Sequence, residues 1–330
     1  MQSASHPNVH EPWRPWSESQ TLYVASAYSN PVRWRSRRTL FNDFRQHMAA
    51  SPNVALYVGE IQYGDRPFEV TGAANPLDLQ LRTTDEMWHK ENLLNLVVQR
   101  FPPDWKYGAI VDGDFHMTRP DWALEAVHQL QHYDFAQLFS SYAPLSADHR
   151  PTSTAPGFAY SYLTTRQAPS ANLPSHVGAP GGAWAFRREA FDQVGGMLDT
   201  CILGSADWHM AMALAGEPDR HWEVRECGDP YVRKIAAWTK RAEAIKGNIG
   251  YIANHAIHHF HGPMSKRGYG SRSRILRDHR FDPDQDLRRD WQGLWRFAGN
   301  KPKLRDDIRA YFRERNEDSV DLGPRERQLV

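Results

Sequence analysis

The stretch Tyr107-Gly108-Ala109-Ile110-Val111-Asp112-Gly113-Asp114 decides how the rest of the chain reads. Its run of small and apolar residues, closing on the β-branched Ile110 and Val111, predicts a short buried strand. Side chains at i and i+2 of an extended chain point the same way, so Asp112 and Asp114 leave the strand end aimed together. Two carboxylates set like this can grip one hard cation. Oxygen ligation suits Mg²⁺ or Mn²⁺, ions that commonly fill their remaining positions with water and phosphate oxygens.

Outward from that strand, the chain alternates short apolar strands with helices. Thr21 to Ser26 reads as a strand running to a turn at Ser29-Asn30-Pro31, and Val54 to Val58 as a second ending at Gly59-Glu60. Leu77 to Leu81 and Phe135 to Phe139 are further strands. Helices are predicted over 37–48, with Leu40, Phe41 and Phe44 on one face, over 88–100, with Leu93, Leu94, Val97 and Val98 inward, and over 121–132. This alternation implies an α/β fold with a mostly parallel sheet covered on both faces. Ligands of such sheets sit at the carboxyl ends of the strands, where Ser29, Asn30, Glu60, Asp112 and Asp114 fall.

Residues 143–182 are rich in Pro, Ser, Thr, Ala and Gly without sustained periodicity, the signature of a lid or binding loop. Gly181 to Phe186 resumes a strand, and a helix over 187–194 stops at Gly195-Gly196. Gly204-Ser205-Ala206-Asp207 precedes a helix over 208–215. Residues 286–315 read as charged helices with Trp291, Leu294, Trp295 and Phe297 turned inward.

The chain has 330 residues, 40% of them hydrophobic and 24% charged, which excludes a disordered chain. Cys201 and Cys227 alone cannot form a disulfide framework. No leader pattern or membrane-length apolar run is present, so the cytoplasm is the expected location. Net charge is +1 but divided: residues 1–232 hold 18 Lys/Arg and 26 Asp/Glu, residues 233–330 hold 22 and 13. A basic C-terminal third on an acidic body implies that it faces an anion: phosphate, nucleic acid or an acidic surface.

Taken in order, these features resemble a glycosyltransferase of the GT-A type. The residues that carry the resemblance span about 21–280: the strand ends at Ser29-Asn30 and Glu60, the segment Trp88-His89-Lys90-Glu91-Asn92-Leu93-Leu94-Asn95, the pair Asp112 and Asp114, Gly181-Gly182-Ala183-Trp184, Gly204 to Asp207, and His259-Phe260-His261-Gly262. The resemblance implies an N-terminal arm (1–20), a catalytic domain (21–265) with a nucleotide half (21–140) and an acceptor half (141–265), and a basic flap with C-terminal helices (266–330). It implies a nucleoside-diphosphate sugar donor, most simply a UDP-sugar, and Mn²⁺ or Mg²⁺ as cofactor. Ser29, Asn30 and Glu60 would meet base and ribose, and Lys90 or Arg82 base or phosphate. Asp112 would contact ribose or the metal, and Asp114 would ligate the metal.

A late histidine often joins the metal in this fold, and here His258, His259 and His261 cluster. On a strand His259 and His261 would face one way and His258 the other; the choice between His259 and His261 stays open. Gly262, Lys266 and Arg267 would meet the diphosphate. Asp207 is the expected general base, with helix N-cap as its alternative role. Many inverting relatives carry an acidic pair where this chain has Ala206-Asp207, yet inversion is the favoured outcome. Two other readings use the same residues. A metal-dependent hydrolase of phosphoesters or amides would employ Asp112, Asp114, His116 and the late histidines, with Zn²⁺ favouring the imidazoles. A phage-type glycosyltransferase acting on modified DNA bases would seat its polyanionic acceptor on the basic third.

Overall fold

The computed structural model describes residues 21–165, 178–217, 219, 222–269 and 271–320. Its strands are β1 (Leu22–Ser29), β2 (Val54–Tyr63), β3 (Asp78–Thr83), β4 (Tyr107–Val111), β5 (Phe115–Met117), β6 (Phe135–Gln137), β7 (Ser141–Pro144), β8 (Ala155–Pro156), β9 (Ala183–Arg187), β10 (Ile249–Tyr251), β11 (His255–His258), β12 (Leu287–Arg289) and β13 (Trp295–Phe297). The helices are α1 (Arg35–Ala50), α2 (Lys90–Val98), α3 (Trp122–Gln129), α4 (Phe158–Thr165), α5 (Arg188–Val194), α6 (Ala206–Leu214), α7 (Trp222–Glu226), α8 (Asp229–Ala242), α9 (Arg274–Asp278), α10 (Pro283–Asp286) and α11 (Pro302–Glu314). None of the described helices is long and apolar enough to cross a membrane.

Seven strands form the central sheet in the order β10-β6-β9-β4-β1-β2-β3. Neighbours β1/β2, β1/β4, β2/β3 and β6/β10 run parallel, and β9 alone is antiparallel to both its partners. The expected mostly parallel α/β sheet is therefore present, and helices cover it on two sides. On one face α2 buries Leu93, Leu94 and Val97 against Ala25, Ile61 and Ile110. On the other, Phe41, Phe44 and Met48 of α1 pack with Val24, Val58 and Val111. Successive strand residues alternate between these two cores, as a pleat requires. Each fully buried Leu or Phe contributes roughly 1.5–3 kcal/mol. A smaller sheet, β5-β11-β7-β8, stands beside the carboxyl end of β4. It pairs β11 antiparallel to β5, and so lays the late histidines beside the residues that follow Asp112 and Asp114.

Three expectations are corrected here. β2 runs to Tyr63, so Glu60 lies inside a strand rather than at its end. The stretch 143–182 contains β8 and the helix α4 among its described residues, so it is not one continuous loop; its residues 166–177 lie outside the described ones. Residues 287–297 form the hairpin β12–β13 instead of a helix, because the Asp290 carboxylate accepts from the Gln292 and Leu294 amides and turns the chain. Leu294 is buried as expected, but Trp291 sits at the hairpin tip and is 92% exposed. The N-terminal arm, residues 1–20, lies outside the described residues.

Candidate active site

The carboxyl ends of β1 and β4 open into a cleft of about 140 Å³, lined by Ser29, Arg37, Lys90, Asp112, Asp114, His261 and Arg315 among others. A larger groove, about 1000 Å³, lies between α2, α5 and α8, but no cluster of acids and histidines lines it.

The β4 strand stops at Val111, and the Asp112 amide donates to the Gly182 carbonyl at 2.8 Å, which holds the first carboxylate at the sheet rim. Gly113 follows because a Cβ there would stand 2.5 Å from the Phe41 ring of α1. Asp112 meets Lys90, the first residue of α2, at 2.6 Å on Oδ1 and 2.7 Å on Oδ2. Burial works against the Lys90 ammonium, but Asp112 first, then Glu91 and Asp207, hold its pKa above the ordinary lysine value.

The expectation that Asp112 and Asp114 grip one ion together is corrected: Asp112 is taken up by Lys90, and Asp114 meets the late histidines without it. Its Oδ2 lies 2.9 Å from His261 Nε2 and 3.6 Å from His258 Nε2, and the two imidazole nitrogens are 3.3 Å apart. Its Oδ1 is buried and has no hydrogen-bond partner. Asp114, His258 and His261 form a set of three donors close enough to share one cation. Burial, then the Arg267 guanidinium, push His261 down to about 4, so its ring is neutral at pH 7. Burial would raise the Asp114 carboxyl, but His261 and His258 hold it well below the usual carboxylate range. An ionised carboxylate beside a neutral imidazole is the protonation state metal ligation needs. The donor set and the orphaned Asp114 oxygen fit a divalent ion.

The expectation for His259 is corrected. β11 ends at His258, so the alternation of an extended chain no longer applies beyond it. The His259 amide donates to the Asp114 carbonyl at 2.9 Å, and its ring turns to His116, with Nε2 3.1 Å from His116 Nδ1. The His116 ring stacks on His47. His258, assigned by strand parity to the wrong side, takes the place beside His261.

Asp207 comes to the site from α6. It lies in the first turn of that helix, which starts two residues before the expected 208, and the N-cap position belongs to Ser205. Its carboxylate lies against the backbone of Gly181, where a Cβ would be 2.5 Å from Oδ2. Gly181 leads to Gly182, the partner of Asp112, so two consecutive glycines bring Asp207 up to the β4 end. Glu91, not anticipated from the sequence, is buried between Lys90 and Asp207, and burial lifts its pKa to about 7. Its neighbour Lys90 was the one available signal.

Four other expected contacts serve the fold. The Glu60 carboxylate is fully buried and accepts from the Glu69, Val70 and Thr71 amides, the Thr71 hydroxyl and Gln62, so it clamps the loop after β2 and is not free to meet a nucleotide. The Asn30 side chain is closed on the Trp34 backbone, donating to its carbonyl and accepting from its amide. Arg82 is exposed, donates to the Gly64 and Arg66 carbonyls and lies over Phe68. Gly262, at φ +89°, packs against Glu317. Ser29 lines the cleft and is hydrogen-bonded to the Tyr63 hydroxyl. Lys266 is exposed, whereas Arg267 and Arg272 are buried, each with an unpartnered Nε, and among the described residues no carboxylate bridges either.

No family model and no curated protein matches the chain. Solved structures similar to it include a Desulfovibrio desulfuricans protein assigned as a nucleotide-diphospho-sugar transferase, at TM-score 0.35 and 10% identity, covering 89% of this chain and 97% of that one. The catalytic domain of Drosophila β1,4-galactosyltransferase 7, solved with xylobiose, is similar at TM-score 0.35 and 14% identity, covering 86% of this chain and 97% of that one. The Pyrobaculum calidifontis mannosyltransferase PcManGT, solved with GDP-Man and Mn²⁺, is similar at TM-score 0.32 and 11% identity, covering 68% of this chain and 73% of that one.

Proposed function

We propose that the chain is a metal-dependent glycosyltransferase of the GT-A type, moving a sugar from a nucleoside-diphosphate donor, most simply a UDP-sugar, to an acceptor hydroxyl with inversion. The observation that carries this is the convergence of Asp114, His258 and His261 at the carboxyl end of β4, with one buried carboxylate oxygen unpartnered. Two imidazoles beside one carboxylate favour Mn²⁺ over the harder Mg²⁺. When bound, the ion would neutralise charge developing on the departing diphosphate. The buried guanidiniums of Arg267 and Arg272, which no carboxylate bridges among the described residues, would add to that neutralisation. Lys90, now paired with Asp112, would contact the phosphate. The donor would lie over residues 21–140 and the acceptor over 141–265. Asp207 would accept the acceptor hydroxyl proton as the new bond to the anomeric carbon forms and the bond to diphosphate oxygen breaks. A reducing compartment such as the cytoplasm suits the two free, buried cysteines.

Thermal-shift screening of UDP- and GDP-sugars, each with and without Mn²⁺, tests the assignment. One donor should raise the melting temperature by about 5 °C or more, only with the ion present. Asp207→Asn should keep that shift and lose turnover by roughly 100-fold or more. The same donor set also suits Zn²⁺. One tightly held zinc per chain, with no response to any nucleotide-sugar, would favour metal-dependent hydrolysis instead.

A further inference from the structure

Of the two buried arginines that follow the histidine cluster, Arg272 reaches the start of α6. It is 7% exposed, yet among the described residues no carboxylate bridges it directly. One terminal nitrogen donates to the Ser205 hydroxyl at 2.9 Å, the guanidinium lies 5.0 Å from the Tyr269 ring centre, and Nε has no partner. The chain's own counter-charge, Glu223, stands at one remove across the Ser205 hydroxyl, so the guanidinium has no anion in direct contact.

The turn that seats it is unusual. Ser205 has φ +74°, a left-handed conformation that a serine adopts only when its surroundings fix it. The hydroxyl does two things at once. It accepts from Arg272 and donates to Glu223 Oε1 at 2.9 Å. Glu223 is itself buried, and its other oxygen lies 3.2 Å from His209 Nε2 within α6. At Gly204, a Cβ would stand 3.1–3.2 Å from three atoms of the same guanidinium. Gly204 and Ser205 together form a flat seat for Arg272, two residues before Asp207. One hydroxyl thus ties the flap cation to the helix that carries the candidate base.

We propose that Ser205 is a positioning residue, whose hydroxyl holds the Arg272 guanidinium against the start of α6 ready for the donor diphosphate. This rests on the glycosyltransferase reading above. It is tested on the full chain by calorimetric titration with inorganic pyrophosphate in the presence of Mn²⁺, for the wild type, Ser205→Gly, Arg272→Ala and the double variant. Ser205→Gly relieves the backbone but leaves buried Arg272 and Glu223 each one partner short, so its melting temperature should fall by several degrees with the chain still folded at the titration temperature, while pyrophosphate affinity falls about tenfold. A role confined to folding would leave the affinity of the folded chain unchanged. In the Arg272→Ala background, Ser205→Gly should cost nothing further, since the hydroxyl acts through that guanidinium. Wild-type affinity in Ser205→Gly, or an equal loss with and without Arg272, would overturn the proposal. A wild type that binds Mn²⁺ but no pyrophosphate would overturn the glycosyltransferase reading itself, and this role with it.

Discussion

Asp114 faces two imidazoles because the chain ceases to be a strand at His258, and the next three residues turn instead of alternating. His261 Nε2 and His258 Nε2 meet one carboxylate oxygen, while His259 is spent on His116. The variants should separate accordingly. His261→Ala should weaken Mn²⁺ binding at least about 100-fold, more than the loss of an outer partner of a metal ligand commonly costs. His259→Ala should leave affinity within a few-fold, read by paramagnetic resonance of free Mn²⁺. A large loss in His259→Ala with little in His261→Ala would mean that the ring assignments are exchanged, and equal losses that both rings hold the ion. The sequence marked the residues that meet at this rim, with two carboxylates after an apolar strand, a lysine at a helix start and an aspartate in a glycine turn, but not that the lysine takes the first carboxylate away from the second. The role of Glu60 was not legible, because a glutamate at a presumed strand end and one inside a longer strand look alike until the loop that donates to it is seen. His258 was missed because parity holds only as far as the strand does.

Elements were legible where periodicity was strong, as in α1 and α2, and illegible where a side chain turned the backbone, as Asp290 does between β12 and β13. The antiparallel course of β9 left no local signal, because strand direction is set by connections and not by composition. Helix α6 is a related case. Nearly all its residues are buried, and a helix apolar on every side carries no periodic stripe. Its one buried ionisable ring, His209, lies between Asp219 and Glu223. Burial alone would lower its pKa, but hydrogen bonds to those carboxylates raise it to about 9. A folded pKa above the unfolded value of 6.5 stabilises fully below pH 6.5, and that stabilisation is lost as pH rises through about 9. The rise is worth on the order of 3 kcal/mol. In urea melts from pH 6 to 10, the advantage of wild type over His209→Gln should shrink by about that amount as pH rises. A constant gap would show that the ring is held neutral.

The charge division along the chain finds its counterpart within the molecule. Arg277, Arg289, Arg296, Arg309 and Arg313 of the basic third bridge Glu226, Asp199, Asp85 and Glu86 of the acidic body. The acidic surface that the basic third faces includes the chain's own. These arginines are about half exposed and screened by water, so as a group their bridges set docking rather than depth of stability. The deeper tie is Glu317. Its side chain is 1% exposed and is held by Arg37 of α1 and by Arg315, both lining the cleft, while Asp318 beside it accepts from the Arg35 and Ser36 amides at the start of α1. The C-terminal segment thereby fastens the first helix to the wall of the site. Burial would raise the Glu317 carboxyl, but Arg37 first and then Arg315 hold it far below its ordinary value. A depressed folded pKa stabilises above the unfolded value of about 4.5, and the contribution is lost as pH falls below it. Glu317→Gln leaves two guanidiniums facing an amide and should cost about 3–5 kcal/mol at pH 7, the range for breaking a buried pair on one side. The difference from wild type should narrow steadily as urea melts are carried from pH 5 towards pH 3. If the variant lost less than about 1 kcal/mol, water would be reaching the two arginines, and the C-terminal segment would be a loose cover instead of part of the wall.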